Sequence, residues 1–286
     1  MAKAGISYSD TVKYATKHPD VSGPSFIQLL EGTEVLDLLH MKNPRPREVA
    51  RITPNGSNQI QLWVKWGGVF NTNLALNLGC IGLINHNLGV ENNVLMDLYI
   101  YDSVTTLYTF TDLPLNYNGA GGLSGYENTE LSSVNHFTIL DTPVEDAVEV
   151  TIVLKNVTGD FDIGRLWVGD FMEACFDATW GLGYTAKAQI NYSGGEDAHP
   201  VYKRRRKKGS FPISRIHKSQ AFGPGQTFQD LSLKCGRDSE IVLLPRTSSN
   251  EDINHISVYG LVQKDVIITN TKGDYFQTQI DVLELI

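Results

Sequence analysis

Three cysteines in 286 residues are few, and Cys80, Cys175 and Cys235 stand far apart. An odd number at wide spacing is neither a disulfide framework nor a zinc-binding pattern. The chain is therefore expected to be made in a reducing cytoplasm and to act without disulfides. Long hydrophobic runs are missing too. None approaches the ~20 residues that a helix needs to cross a bilayer, and the opening MAKAGISYSD lacks the apolar stretch of a signal peptide. Positive charge is in short supply: 24 Lys and Arg against 32 Asp and Glu leave a formal net charge of −8. That balance argues against wholesale binding to nucleic acid. Catalytic signatures are absent as well. There is no G-x-S-x-G elbow; the nearest pattern, Gly121-Gly122-Leu123-Ser124-Gly125, lies in a long loop without the strand and helix that would strain a nucleophile. There is no P-loop, no dinucleotide fingerprint, no acid/base pair of carboxylates that the sequence singles out and no internal repeat. The expectation is a protein that is not an enzyme and holds neither metal nor cofactor.

What the chain does have is alternation. Apolar residues make up 41% and charged residues 20%, enough for a sizeable core. Residues 74–101 (LALNLGCIGLINHNLGVENNVLMDLYIY) hold a buried run, Cys80 to Ile84, that ends at Asn85-His86-Asn87. After that turn, Val94, Met96, Leu98 and Ile100 fall on one face, with Leu95, Asp97, Tyr99 and Tyr101 on the other. A period of two with one apolar face marks a half-buried strand. Ile60, Leu62, Val64 and Trp66 repeat the pattern, as do Val148, Val150, Ile152 and Leu154, and Phe276, Thr278, Ile280 and Val282 near the end. Residues 26–39 are apolar enough for a strand or short helix, with Gly32 against one long helix. Further strands are expected at 105–115, 163–168, 240–244 and 255–262, and a helix only in the later part of 222–235.

Gly- and Asn-rich punctuation about every 10 residues fits a β-sandwich. Residues 116–133 form a long loop, and the polar break at 193–200 sets a boundary. This gives an N-terminal arm (1–25) that orders only by docking, a sandwich (26–195) and a smaller, mainly β C-terminal region (196–286).

Several residues invite a sharper reading. His86 between two asparagines has the chemistry of a ligand, but no His, Cys or Asp stands at ligand spacing, so local backbone capping fits better. Asp160, Asp162 and Asp170 offer oxygens for calcium without the rest of an EF-hand pattern. Trp167, Trp180, Tyr184 and Tyr192 are candidates for a carbohydrate-stacking platform, for contacts between subunits or for core packing. Residues 203–208 (KRRRKK) are six basic residues in a row. They suit nucleic acid or another acidic partner, a solvated strand edge, or the acidic surface of a neighbouring subunit.

Three stretches, in order, carry a resemblance. Residues 81–88 (IGLINHNL), residues 163–169 (IGRLWVG) with the aromatic segment after them, and residues 255–262 (HISVYGLV) with the closing strand resemble tailed-bacteriophage virion proteins that have a discoidin-like, galactose-binding-like jelly roll. The likeness runs from about residue 55 to the end; the loop at 116–133 and the basic run have no counterpart in it. It implies an all-β jelly-roll sandwich in a non-enzymatic virion component of the tail tip, baseplate or fibre attachment. The implied partners are copies of the chain in a ring or trimer and neighbouring virion proteins. A carbohydrate-binding module for host-surface glycan, or a capsid decoration, is the alternative. Neither nucleic acid nor membrane insertion is expected, and removal of residues 1–25 is expected to weaken incorporation but leave the soluble fold intact.

Overall fold

The computed structural model describes residues 4–285 except 17–24, 67–75, 89–93, 105, 116–134, 186–188, 193–197, 202–205, 224–225, 238 and 247–255. The long loop at 116–133 and Lys203 to Arg205 of the basic run thus lie outside the described residues. In chain order the first strands are β1 (Gly5–Ser7), β2 (Ala15–Thr16), β3 (Ser25–Glu31), β4 (Thr33–Leu36), β5 (Ala50–Thr53) and β6 (Ile60–Lys65). Next come β7 (Leu76–His86), β8 (Leu95–Asp102), β9 (Leu107–Pro114), β10 (Asn135–Lys155), β11 (Phe161–Asp170) and β12 (Met172–Glu173). Then follow β13 (Gly181–Thr185), β14 (Gln189–Tyr192), β15 (Ala198–Val201) and β16 (Arg206–His217), and helices α1 (Lys218–Phe222) and α2 (Phe228–Lys234). The chain closes with β17 (Glu240–Leu244), β18 (Val258–Val262), β19 (Thr269–Lys272) and β20 (Tyr275–Glu284). The protein is all-β, as its alternation requires. Two compact units divide it: residues 1–120, 134–174 and 242–257 form one, and 121–133, 175–241 and 258–286 the other.

The first unit is a sandwich joined by one long strand. The last third of β10 pairs with β6 on one side and β8 on the other, while its first residues pair with β7. Bulges between Ile139 and Ala147 separate the two parts. Such irregularities bend a strand and let it pass from one layer to the next. One layer runs β2-β3-β6-β10-β8-β9 and the other β10-β7-β11-β5-β4. Ile60, Leu62 and Val64 of β6, Met96, Leu98 and Ile100 of β8, and Val150, Ile152 and Leu154 of β10 meet Leu83, Leu166 and Val168 of β7 and β11 in one buried cluster. The turn between β3 and β4 needs Gly32, whose φ of +109° lies in the region most side chains avoid.

The N-terminal segment is part of this unit. β1 pairs with β12 and β17. Asp170 at the end of β11 accepts hydrogen bonds from the N–H groups of Tyr8 (3.0 Å) and Ser9 (3.1 Å) and from Ser7 Oγ (3.3 Å). Asp10 accepts from the N–H groups of Val12 and Val168 and pairs with the buried Arg165. Arg165 also donates to the carbonyl of Met41 (3.3 Å).

In the second unit β16 pairs with β13 and β20, and β20 with β18 and β19. Phe211 and Ile213 of β16 and Ile280 and Val282 of β20 are buried. Helix α2 starts at a reciprocal cap between Thr227 and Asp230, in the later part of 222–235 as expected.

Candidate functional site

β13 and the tryptophan before it are positioned by β16. The N–H of Asp177 donates to the Pro212 carbonyl (2.9 Å), and the Asp177 carboxylate accepts from Ser214 N–H (3.1 Å) and Oγ (2.6 Å). Trp180 N–H closes the turn on the Asp177 carbonyl (3.1 Å). With the turn fixed, the Trp180 ring stacks on the buried Phe211 ring, centroids 6.0 Å apart and planes 20° from parallel, while Phe176 meets Phe211 edge-on at 5.6 Å. A Cβ on Gly209 would collide with the Phe211 ring, so the missing side chain makes room for that ring.

The β13–β16 register pairs Leu182 with Gly209 and Tyr184 with Lys207. Directly opposed residues share a face of the sheet, so Leu182 and Tyr184 lie on the Phe211 side. Tyr184 is 56% exposed, and Trp180 is half-buried. Lys207 of β16 and Glu284 of β20 are both buried, and the Lys207 N–H donates to Glu284 Oε2 at 2.7 Å. Burial pushes the Lys207 ammonium below its ordinary value, and Glu284 opposes that shift. The covered part of Tyr184 and the nearby Glu284 charge push its phenol up, so it stays protonated and able to donate. The result is an aromatic ledge: the exposed Tyr184 phenol on β13 and the half-buried Trp180 indole in the turn just before that strand, near a buried lysine and glutamate. Such a ledge stacks the apolar face of a ring and hydrogen-bonds its edge.

The four aromatics singled out in the sequence do not come together as one platform. Trp167 is 1% exposed on β11, where its indole N–H donates to Ser7 Oγ at 2.8 Å; it offers no face to a ligand because it helps seal the first unit. Trp180 and Tyr184 share the ledge. Tyr192 lies on β14, which pairs with β15, and its side chain is outside the described residues. His86 does what its turn implied: buried at the end of β7, its Nδ1 accepts from Leu88 N–H at 3.2 Å. The three aspartates have separate partners. Asp162 takes a bidentate pair from Arg51 (2.6 and 2.7 Å), Asp160 accepts from Thr53 Oγ1 (2.6 Å), and Asp170 holds the N-terminal segment. Lys207 and Glu284 were missed as neighbours of Tyr184. Their inward parity was available: Lys207 stands two and four residues from Gly209 and Phe211, on the same face.

No protein-family model matches the chain, and no curated protein matches it in sequence. Among solved structures, it has a partial likeness to the lectin domain of lectinolysin complexed with Lewis B antigen, at a TM-score of 0.36 and 13% identity, over 57% of this chain and 98% of that one. A His 62 mutant of the same lectin-binding domain complexed with Lewis b matches over the same shares at 0.36 and 12%. A likeness this distant transfers no ligand and no residue role.

Proposed function

We propose that this chain is a non-catalytic carbohydrate-binding module, and that the ledge of β13 is its contact surface for host-surface glycan. The observation that carries the reading is Tyr184. A tyrosine 56% exposed near the end of a strand, four residues from a half-buried tryptophan and close to the buried Lys207 and Glu284, supports the reading, because such a ring can stack on one sugar while its hydroxyl bonds the next. A panel of immobilised glycans tests it. Tyr184→Ala is expected to lower binding about tenfold or more with an unchanged melting temperature, because the ring is exposed. Trp180→Ala is expected to weaken binding as well, with some loss of stability through Phe211. A wild-type chain that binds nothing on a broad panel overturns the reading.

A second reading, a structural component of a tailed-phage virion, needs self-assembly, and a different observation bears on that requirement alone. β4 pairs only with β5 among the described residues, and it carries Val35 at 51% and Leu36 at 40% exposure. At the edge of the other layer, Val104 in the turn after β8 and Leu107 and Tyr108 at the start of β9 are exposed. Apolar side chains on edge strands favour pairing with further chains. Val35→Lys with Leu36→Lys is then expected to shift the protein from oligomer to monomer in light scattering coupled to gel filtration; a wild-type monomer at all concentrations overturns self-assembly by this edge.

A further inference from the structure

We propose that the second unit holds another ligand site, remote in sequence from β13, which takes a sugar bearing a carboxylate. Where β16 runs into α1, a cleft of about 360 Å³ is lined by His217, Lys218, Ser219, Phe222, Gly223 and Asp274. Its walls are held in place. Lys218 N–H donates to the Asp274 carbonyl at 2.8 Å, joining the two sides. The Phe222 ring is fixed edge-to-face on Phe276, centroids 5.0 Å apart at 84°, and His217 meets Tyr275 edge-on at 5.9 Å.

Fixed apolar rings are usually covered, yet Phe222 is 44% exposed and Tyr275 50%. The cleft's two charged side chains are uncommitted. Among the described residues, neither the Lys218 ammonium nor the Asp274 carboxylate makes a hydrogen bond or ion pair. Ser219 Oγ and His217 Nδ1 lie 2.8 Å apart, a polar pair on the same wall.

These groups match a saccharide point by point. A pyranose has an apolar face of C–H groups that stacks on an aromatic ring such as Phe222. Its hydroxyls are donors that a free carboxylate accepts, which is the part left to Asp274. A sugar carboxylate would take the free Lys218 ammonium in a charge-assisted bond. The volume falls in the range of small-molecule sites. A neutral sugar would leave Lys218 without its counter-charge and is bound less well. Long anionic chains are disfavoured by Asp274. The site does not depend on the ledge of β13.

Calorimetric titration of the full chain with glucuronic acid, N-acetylneuraminic acid and galactose tests this. At least one acidic sugar is expected to bind with a dissociation constant on the order of 1 mM, the strength accessible to a ligand of that size, and galactose about tenfold more weakly. Lys218→Ala, an exposed change that leaves the fold intact, is expected to abolish the preference for the acidic sugars; Phe222→Ala is expected to weaken all three. Tyr184→Ala is expected to leave all three unchanged, which keeps failure of the ledge distinct from failure of the cleft. No binding by any of the three, equal binding of galactose, or acidic-sugar binding that survives Lys218→Ala overturns the proposal.

Discussion

Arg165 and Asp10 have side chains 0% and 3% exposed, and they hold the N-terminal segment against β11. Two buried charges are costly to desolvate, so the pair is weak evidence for stability as such, but loss of one partner strands the other. Asp10→Asn is expected to destabilise the protein by about 3 kcal/mol or more, measured by urea unfolding. Two histidines set a second behaviour of single residues. Burial, with a smaller push from His136, lowers His86 from 6.5 to about 3, and burial lowers His136 from 6.5 to about 4. Both are neutral in the folded state, while the unfolded chain takes up their protons near pH 6.5. Their contribution is therefore complete above pH 6.5 and is lost as pH falls from 6.5 towards 4. For His136 alone the loss at pH 4 is on the order of 3 kcal/mol. A His136→Gln variant is expected to flatten the fall in melting temperature between pH 6.5 and 4; an unchanged profile would mean His136 is protonated in the fold. Nothing in residues 135–138 (NHFT) signals this burial. His136 Nε2 meets the Thr138 hydroxyl at 2.9 Å, and its neutrality comes from how the layers close over it.

At the scale of elements, the strands that showed in the sequence are those with unbroken alternation. β6, β8, the end of β10 and β20 bury the very faces their period of two marks out. Those that escaped notice have a break that their partners repair. The first part of β10 is interrupted by bulges and by Pro143, yet β7 pairs with it from Asn135 to Ile139. β16 holds Pro212 between two paired neighbours, a place that usually argues against a strand; there the Pro212 carbonyl receives Asp177. β1 is three residues long and has no periodicity to read. Its place follows from Asp170 and Asp10, which act at a sequence distance of more than 150 residues. For that reason, and against the expectation from sequence that residues 1–25 could be removed with the fold intact, removal of residues 1–16 is expected to cost the fold itself, read as loss of cooperative unfolding by circular dichroism. A deletion that melts like the full chain would show that the segment only decorates the unit. Close approach gives a sharper test on β11. A Cβ at Gly164 would run into the backbone carbonyl of Pro46, which cannot swing aside as a side chain does. Gly164→Ala is expected to cost about 3 kcal/mol in the same unfolding assay.

At the scale of the molecule, the sequence told the class of fold and left the site mostly hidden. Composition and period are properties of the chain, so an all-β protein could be read from them. Of the aromatics it offered, Trp180 and Tyr184 share a surface and Trp167 does not: β13 pairs Tyr184 with Lys207 yet leaves its ring 56% exposed, while β11 turns Trp167 inward against Ser7. The cleft at Phe222 and Asp274 joins residues about 50 apart and has no linear signature. Charge acts on the whole chain as well. A net −8 keeps copies apart at low salt, so any assembly through the apolar edge of β4 must overcome that repulsion and is strengthened by screening. Self-association is therefore expected to rise between 20 mM and 300 mM salt, in light scattering, and to vanish at both in the double lysine variant. A trend in the opposite direction would assign the contact to ion pairs, with the basic run and an acidic neighbour as the surfaces that meet. An antibody against the chain, applied to purified phage particles in electron microscopy, then decides the setting. Label at one fixed place on the particle supports the virion reading and separates capsid from tail; unlabelled particles with the protein free in the lysate leave adhesion through glycan as the function to pursue.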